Sequence, residues 1–123
     1  MGWDKKPSDF SKKMVSNLEK ATKKVVVQLV ADLTFKTPVD TGRARSNWIV
    51  TAGTPTDDVQ TIEDKSGTPS RESADALKPK LGEVVYISNN LPYIGYLENG
   101  TPTSAPYAMV RRSIESTARK LGR

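Results

Sequence analysis

Neither cysteine nor histidine occurs among the 123 residues, and these two absences remove most of the reactive chemistry open to a small protein. Zinc sites built from nitrogen or sulfur, Ser–His and Cys–His nucleophiles, thiol redox chemistry and disulfides are all excluded. What remains for catalysis is carboxylate chemistry with a hard cation, or lysine and tyrosine chemistry. Long apolar runs are missing as well, so no segment reads as a transmembrane helix. The lysine-rich amino end lacks the apolar stretch and small-residue cleavage site of a secretion signal. The expectation is a protein made and kept in a cytoplasm, with no membrane partner. Aliphatic and aromatic residues make up only 36% of the chain, enough for one modest core in a single domain spanning 1–123. A core that small points to help from partners.

What is present begins with one long periodic segment. Phe10, Met14, Leu18, Ala21, Val25, Leu29 and Leu33 recur at steps of three and four, which predicts a helix over about 8–36. Ser8 is placed to cap it, Asp9 suits its positive end, and Pro38 stops it. On a wheel of about 100° per residue, Lys12, Lys13, Lys20, Lys23 and Lys24 fall opposite that stripe. From Val25 to Leu33 the helix is apolar over most of its circumference, because Val26, Val27 and Val30 lie off the stripe. It therefore needs a second neighbour, either another copy of the chain or a sheet and last helix within one subunit.

Thr37 to Gly42 is dense in turn residues and leads into a segment whose later part, through Trp48 and Val50, has strand composition. From Gly53 to Gly82 the chain is polar, and it reads as a long excursion outside the core. Within it Pro69 to Leu77 is a candidate short helix with Ser70 as cap. Glu83 to Ser88 reads as a central strand. Tyr93, Tyr96 and Leu97 share a helical face in a segment ended by Asn99-Gly100, and Asn99-Gly100-Thr101, formally a glycosylation acceptor, reads as a turn because Pro102 follows. Tyr107, Val110, Ile114, Ala118 and Leu121 mark an apolar stripe on a closing helix. The fold class is α+β, with a small antiparallel or mixed sheet.

The formal net charge is +5, unevenly spread. Residues 1–36 carry eight basic and four acidic side chains, a net +4, whereas 53–82 carry four basic and six acidic ones, a net −2. The lysine face is solvated surface or a contact with a nucleic-acid backbone, since no base-reading module is visible. Asp57-Asp58 and Glu63-Asp64 lie in the polar excursion, where a rigid two-carboxylate site is not expected. Asp40 is suited to accept hydrogen bonds from its own turn, and Glu98 to pair with Arg43 or Arg45. No glycine-rich phosphate loop occurs.

Taken together, Thr37-Pro-Val-Asp-Thr-Gly-Arg-Ala-Arg-Ser-Asn-Trp48 and Asn89-Asn-Leu-Pro-Tyr-Ile-Gly-Tyr-Leu-Glu-Asn-Gly-Thr101, followed by Ala105-Pro106 and a closing helix, resemble the small neck and tail-component proteins of tailed bacteriophages. That group includes the minor tail protein Z of lambda-like phages and the gene-product-ten family of coliphage HK-ninety-seven. The match in order and spacing covers most of the chain apart from roughly residues 53–80. It departs in the polar insertion and in Asn99 between Glu98 and Gly100.

The resemblance implies a non-enzymatic virion protein without cofactor or metal. It would form a homo-oligomeric ring, a hexamer being the commonest expectation, at the head–tail junction around the path of the DNA. Its neighbours would be a head–tail connector, a tail terminator or tail tube proteins, and its DNA contact, if any, the phosphate backbone in the channel. The matching positions are Thr37, Pro38, Asp40, Gly42, Arg43, Trp48, Asn90, Pro92, Tyr93, Glu98, Gly100 and Pro106, taken as fold-defining. The alternative reading is a small basic protein that binds DNA without sequence specificity.

Overall fold

The computed structural model describes residues 7–39 and 41–121, with the side chains of 12–39 and 41–120. Among the described residues, four helices and a two-stranded antiparallel sheet make an α+β fold. In chain order these are α1 (Pro7–Lys36), a 3-10 turn (Arg45–Asn47), β1 (Ile49–Ala52), α2 (Thr68–Asp75), β2 (Val85–Ser88), α3 (Ile94–Asn99) and α4 (Met109–Leu121). The expected caps Ser8 and Asp9, the first stripe residue Phe10, and the turn residue Asp40 lie outside the described side chains.

The second half of α1 is surrounded within the subunit, which decides between the two neighbours its valines required. Val26 and Val30 are buried with Val50, Ala74 and Leu77 on the side of the sheet and α2. Leu33 is buried with Trp48 and Met109, and Leu29 packs against that cluster. The first half differs. Met14 and Leu18, expected to face a core, are 51% and 48% exposed. The reason is length: α1 has 30 residues and α4 has 13, about 45 Å against about 20 Å. Helix α4 meets α1 at Asp32 and Leu33, which lie about 21 Å along α1 from Leu18.

Three further expectations are corrected. The 53–82 excursion is partly core, because α2 brings Ala74 and Leu77 into the first cluster. Its helix starts after Gly67, which is the N-cap in a left-handed conformation, whereas Ser70 is fully buried within the helix. There Ser70 has another task. The Trp48 N–H donates to Ser70 Oγ (3.0 Å), and the Val50 N–H donates to Ser73 Oγ (2.9 Å). Two hydroxyls on one face of α2 thus do for β1 what a third strand would do, satisfying N–H groups on its open edge. Strand β2 is consequently an edge and not a central strand, paired with β1 from Ile49↔Ser88 to Ala52↔Val85.

The closing helix is also turned from its expected orientation. Among its described side chains Met109, Ser113 and Thr117 are buried, whereas Val110, Ile114, Ala118 and the preceding Tyr107 are exposed, Ile114 by 53%; Leu121 of the expected stripe lies outside the described side chains. The facing part of α1 carries Asp32, whose carboxylate suits a small hydroxyl side chain, whereas Thr34 turns its methyl towards Gly67. Asp32 Oδ2 accepts from Thr117 Oγ1 (3.5 Å) and pairs with Lys120 Nζ (3.6 Å). Ser113 Oγ is buried with no hydrogen-bond partner, and an orphaned hydroxyl is unfavourable. Ser113→Ala is expected to raise stability by about 1 kcal/mol, read as a higher urea midpoint at unchanged slope.

Candidate functional site

The segment from Thr37 to Trp48 is a junction that locks the end of α1, the start of β1 and the polar excursion to one another. Thr37 Oγ1 donates to the Leu33 carbonyl (2.6 Å) and accepts from Trp48 Nε1 (2.9 Å), so the indole is held at the last turn of α1. The Arg45 guanidinium donates to the carbonyls of Thr37 (2.7 Å), Phe35 (2.9 Å) and Lys65 (3.1 Å). Carbonyls at a helix carboxy terminus have no partner in the helix and concentrate negative potential, which a cation relieves. The third of these bonds ties the excursion to the same spot.

Residues 56–65 form a strap pinned by its main chain. Asn47 Nδ2 donates to the Gln60 carbonyl (3.1 Å) while Asn47 Oδ1 accepts from the Gln60 N–H (2.7 Å), the pattern one strand would offer another. Ser46 Oγ donates to the Asp64 carbonyl (3.1 Å) and accepts from the Asp64 N–H (3.2 Å). Asn90 Nδ2 donates to the carbonyls of Thr56 (2.8 Å) and Asp58 (3.1 Å). With its backbone occupied inward, the strap shows Asp57, Asp58, Val59, Ile62 and Glu63 to solvent. The acidic stretch is thus held in place along its length. Asp64 closes its end, its carboxyl held below the usual 3.8 first by the Ser66 hydroxyl and then by the Ser66 amide. A lowered value means that this turn is fully supported above pH 3.8 and loses that support as pH falls through the lowered value.

The second motif seats α4. Glu98 does not pair with Arg43 or Arg45. Its carboxylate accepts from the backbone N–H groups of Val110 (2.8 Å) and Arg111 (3.4 Å) in the first turn of α4, where a negative charge answers unpaired amides and the helix dipole. Glu98→Ala is expected to cost about 1–2 kcal/mol, measured as a drop of several degrees in Tm. Gly100 has φ +80, and a Cβ there would stand 2.8 Å from the Pro106 nitrogen and the Ser104 carbonyl oxygen, so the motif glycine and Pro106 are a fitted pair.

The remaining motif positions line surface features. Pro38, Gly42, Arg43 and Tyr93 border a cleft of about 350 Å³ that Tyr107 and Leu97 complete. Pro92 borders a shallow depression beside Gly95, Tyr96 and Gly100. A groove of about 240 Å³ between α3 and α4 is floored by Trp48, Ile94 and Met109 and opens towards the exposed Val110. Among the described residues, no group of three or more acidic side chains is placed to hold a metal ion, and no helix is long and apolar enough to cross a membrane.

Of the predicted basic face, Lys12, Lys13, Lys20 and Lys24 are exposed. Lys23 instead donates from Nζ to the Asp75 carbonyl (2.7 Å) at the end of α2, and the Glu19 carboxylate accepts from the Leu81 N–H (3.2 Å). One flank of the amino-terminal half of α1 is thereby taken by the end of the excursion. Sequence reading missed Arg45, Ser46, Asn47 and Ser70 as organising residues. The only signal for the first three was their polar run directly before a strand aromatic, and the partners of the four lie 4 to 25 positions away. No protein-family model, curated protein or solved structure matches the chain.

Proposed function

We propose that this protein is a structural subunit of a tailed-phage virion, a non-enzymatic neck or tail-completion protein that forms a homo-oligomeric ring at the head–tail junction around the DNA path. The observation that carries the reading is the apolar surface a lone subunit leaves open. Met14 and Leu18 on α1, Val110 and Ile114 on α4, Tyr96 on α3 and the 79%-exposed Phe35 are all uncovered in a chain that has little apolar surface to spare. Such surface marks sites of association. The resemblance in the two motifs supports the same reading, because their described residues serve the framework: Thr37 and Trp48 fasten α1, Asn90 pins the strap, and Glu98 and Gly100 set α4.

In this reading the subunit assembles in the host cytoplasm and meets a head–tail connector, a tail terminator or tail tube proteins. Sedimentation of the purified full chain tests the ring, with a closed oligomer expected and a monomer at all concentrations counting against it. Immunogold electron microscopy of the particle tests the place, with label expected at the neck. A second reading, a small basic protein binding DNA without sequence specificity, is favoured by the exposed Lys12, Lys13, Lys20 and Lys24. It requires tight duplex binding by the isolated chain that falls steeply as salt rises.

A further inference from the structure

Two surfaces of opposite charge sit at opposite ends of α1. At the amino-terminal half, Lys13, Lys20 and Lys24 are exposed and, at about 100° per residue, form one line down the helix. The part of the apolar stripe that holds Met14 and Leu18 lies about a third of a turn away on the same length of helix. At the other end the strap shows Asp57, Asp58 and Glu63 around the exposed Val59 and Ile62. The strap cannot reach the lysines of its own chain. Arg45 and Asn47 hold it beside the carboxy terminus of α1, and Lys24 lies about 20 Å up the helix from Thr37.

We infer that the strap of one copy docks on the exposed amino-terminal half of α1 of a second copy, acidic residues on the lysine line and Val59 and Ile62 on the Met14–Leu18 stripe. This rests on the ring reading above and names its junction. The lengths agree: Lys13 to Lys24 rises about 16 Å, and Asp58 to Glu63 spans at most about 16–18 Å. Charge and apolar pattern are complementary, and the strap is already fixed by its main chain, so docking orders little that is not ordered beforehand. Because the two patches are different and lie at opposite ends, the contact is head-to-tail, the kind that closes into a ring or runs on as a filament.

The test uses two full-length variants. Lys13→Glu/Lys20→Glu/Lys24→Glu reverses the helix patch, and Asp57→Lys/Asp58→Lys/Glu63→Lys reverses the strap. Each alone sets like charges against each other and is expected to weaken self-association by a hundredfold or more, about 2.8 kcal/mol or more, leaving monomers by light scattering at physiological salt. Mixed in equal amounts, the two variants present opposite charges at every junction and are expected to regain the wild-type oligomer with alternating subunits. That rescue separates lost docking from lost folding. Oligomers of either variant alone, or failure of the mixture to assemble when both variants give native circular dichroism, would overturn the junction while leaving the ring reading in place. A monomeric wild-type chain would overturn both. Reversal of the lysines that abolishes duplex DNA binding but leaves the oligomer intact would assign that face to DNA and sink the docking.

Discussion

Trp48→Ala is expected to abolish the cooperative unfolding transition or to move it close to room temperature. The indole is 4% exposed, sits with Leu33 and Met109 in one of the two core clusters, and donates to Thr37 Oγ1. Truncating a buried aromatic costs about 3–5 kcal/mol, and Thr37 Oγ1 would lose an incoming hydrogen bond in the same step. Small domains have a net stability of about 5–15 kcal/mol, and a chain with so modest a core belongs near the low end. Trp48→Phe provides the comparison: most of the packing stays, the hydrogen bond goes, and a loss of about 1–2 kcal/mol is expected. Thermal unfolding followed by circular dichroism distinguishes them. A Trp48→Ala chain with a wild-type transition would show that the second cluster does not hold α4 to α1.

Gly42→Ala is expected to cost about 2–4 kcal/mol, and its damage should fall unevenly. Gly42 has φ +90, and a Cβ there would collide with the peptide between Asp64 and Lys65. The backbone conformation alone costs an L-residue about 1–2 kcal/mol, and the rest comes from pushing the strap off its seat. Native-state hydrogen exchange should therefore show the Gln60 and Asp64 amides, which donate to Asn47 and Ser46, losing more protection than the amides of Val30 or Leu33. Uniform loss of protection would mean that the collision is relieved in the Thr37–Trp48 turn and not in the strap.

Much of the element order was legible in the sequence, and what was not has a common physical cause. The helix over 8–36 and the strand before Ser88 rest on local periodicity and composition, and both are present within a residue or two. The face of α4 could not be read this way. Val110 and Ile114 are the residues that periodicity assigns to the inside, yet Ser113 and Thr117 are the buried ones, small enough to approach α1, where Thr117 finds Asp32. The strap was misread for the opposite reason. A polar stretch rich in turn residues looks unstructured when its anchors are Asn47, Ser46 and Asn90, because side-chain to main-chain bonds between distant segments leave no local pattern. The junction around Thr37 was recognisable as a dense motif, but the sequence gives no sign that Arg45 reaches back to α1.

The way the strap is anchored separates its shape from its message. Every bond that Ser46, Asn47 and Asn90 make to it ends on a main-chain group, so the path of residues 56–65 does not depend on which side chains occupy 57, 59, 62 and 63. Those four positions are free to diverge at little cost to folding. A lineage of such proteins can accordingly exchange one recognition surface for another by drift in a few outward residues, while the residues beneath, Gly42 and Asn47 among them, are constrained to stay.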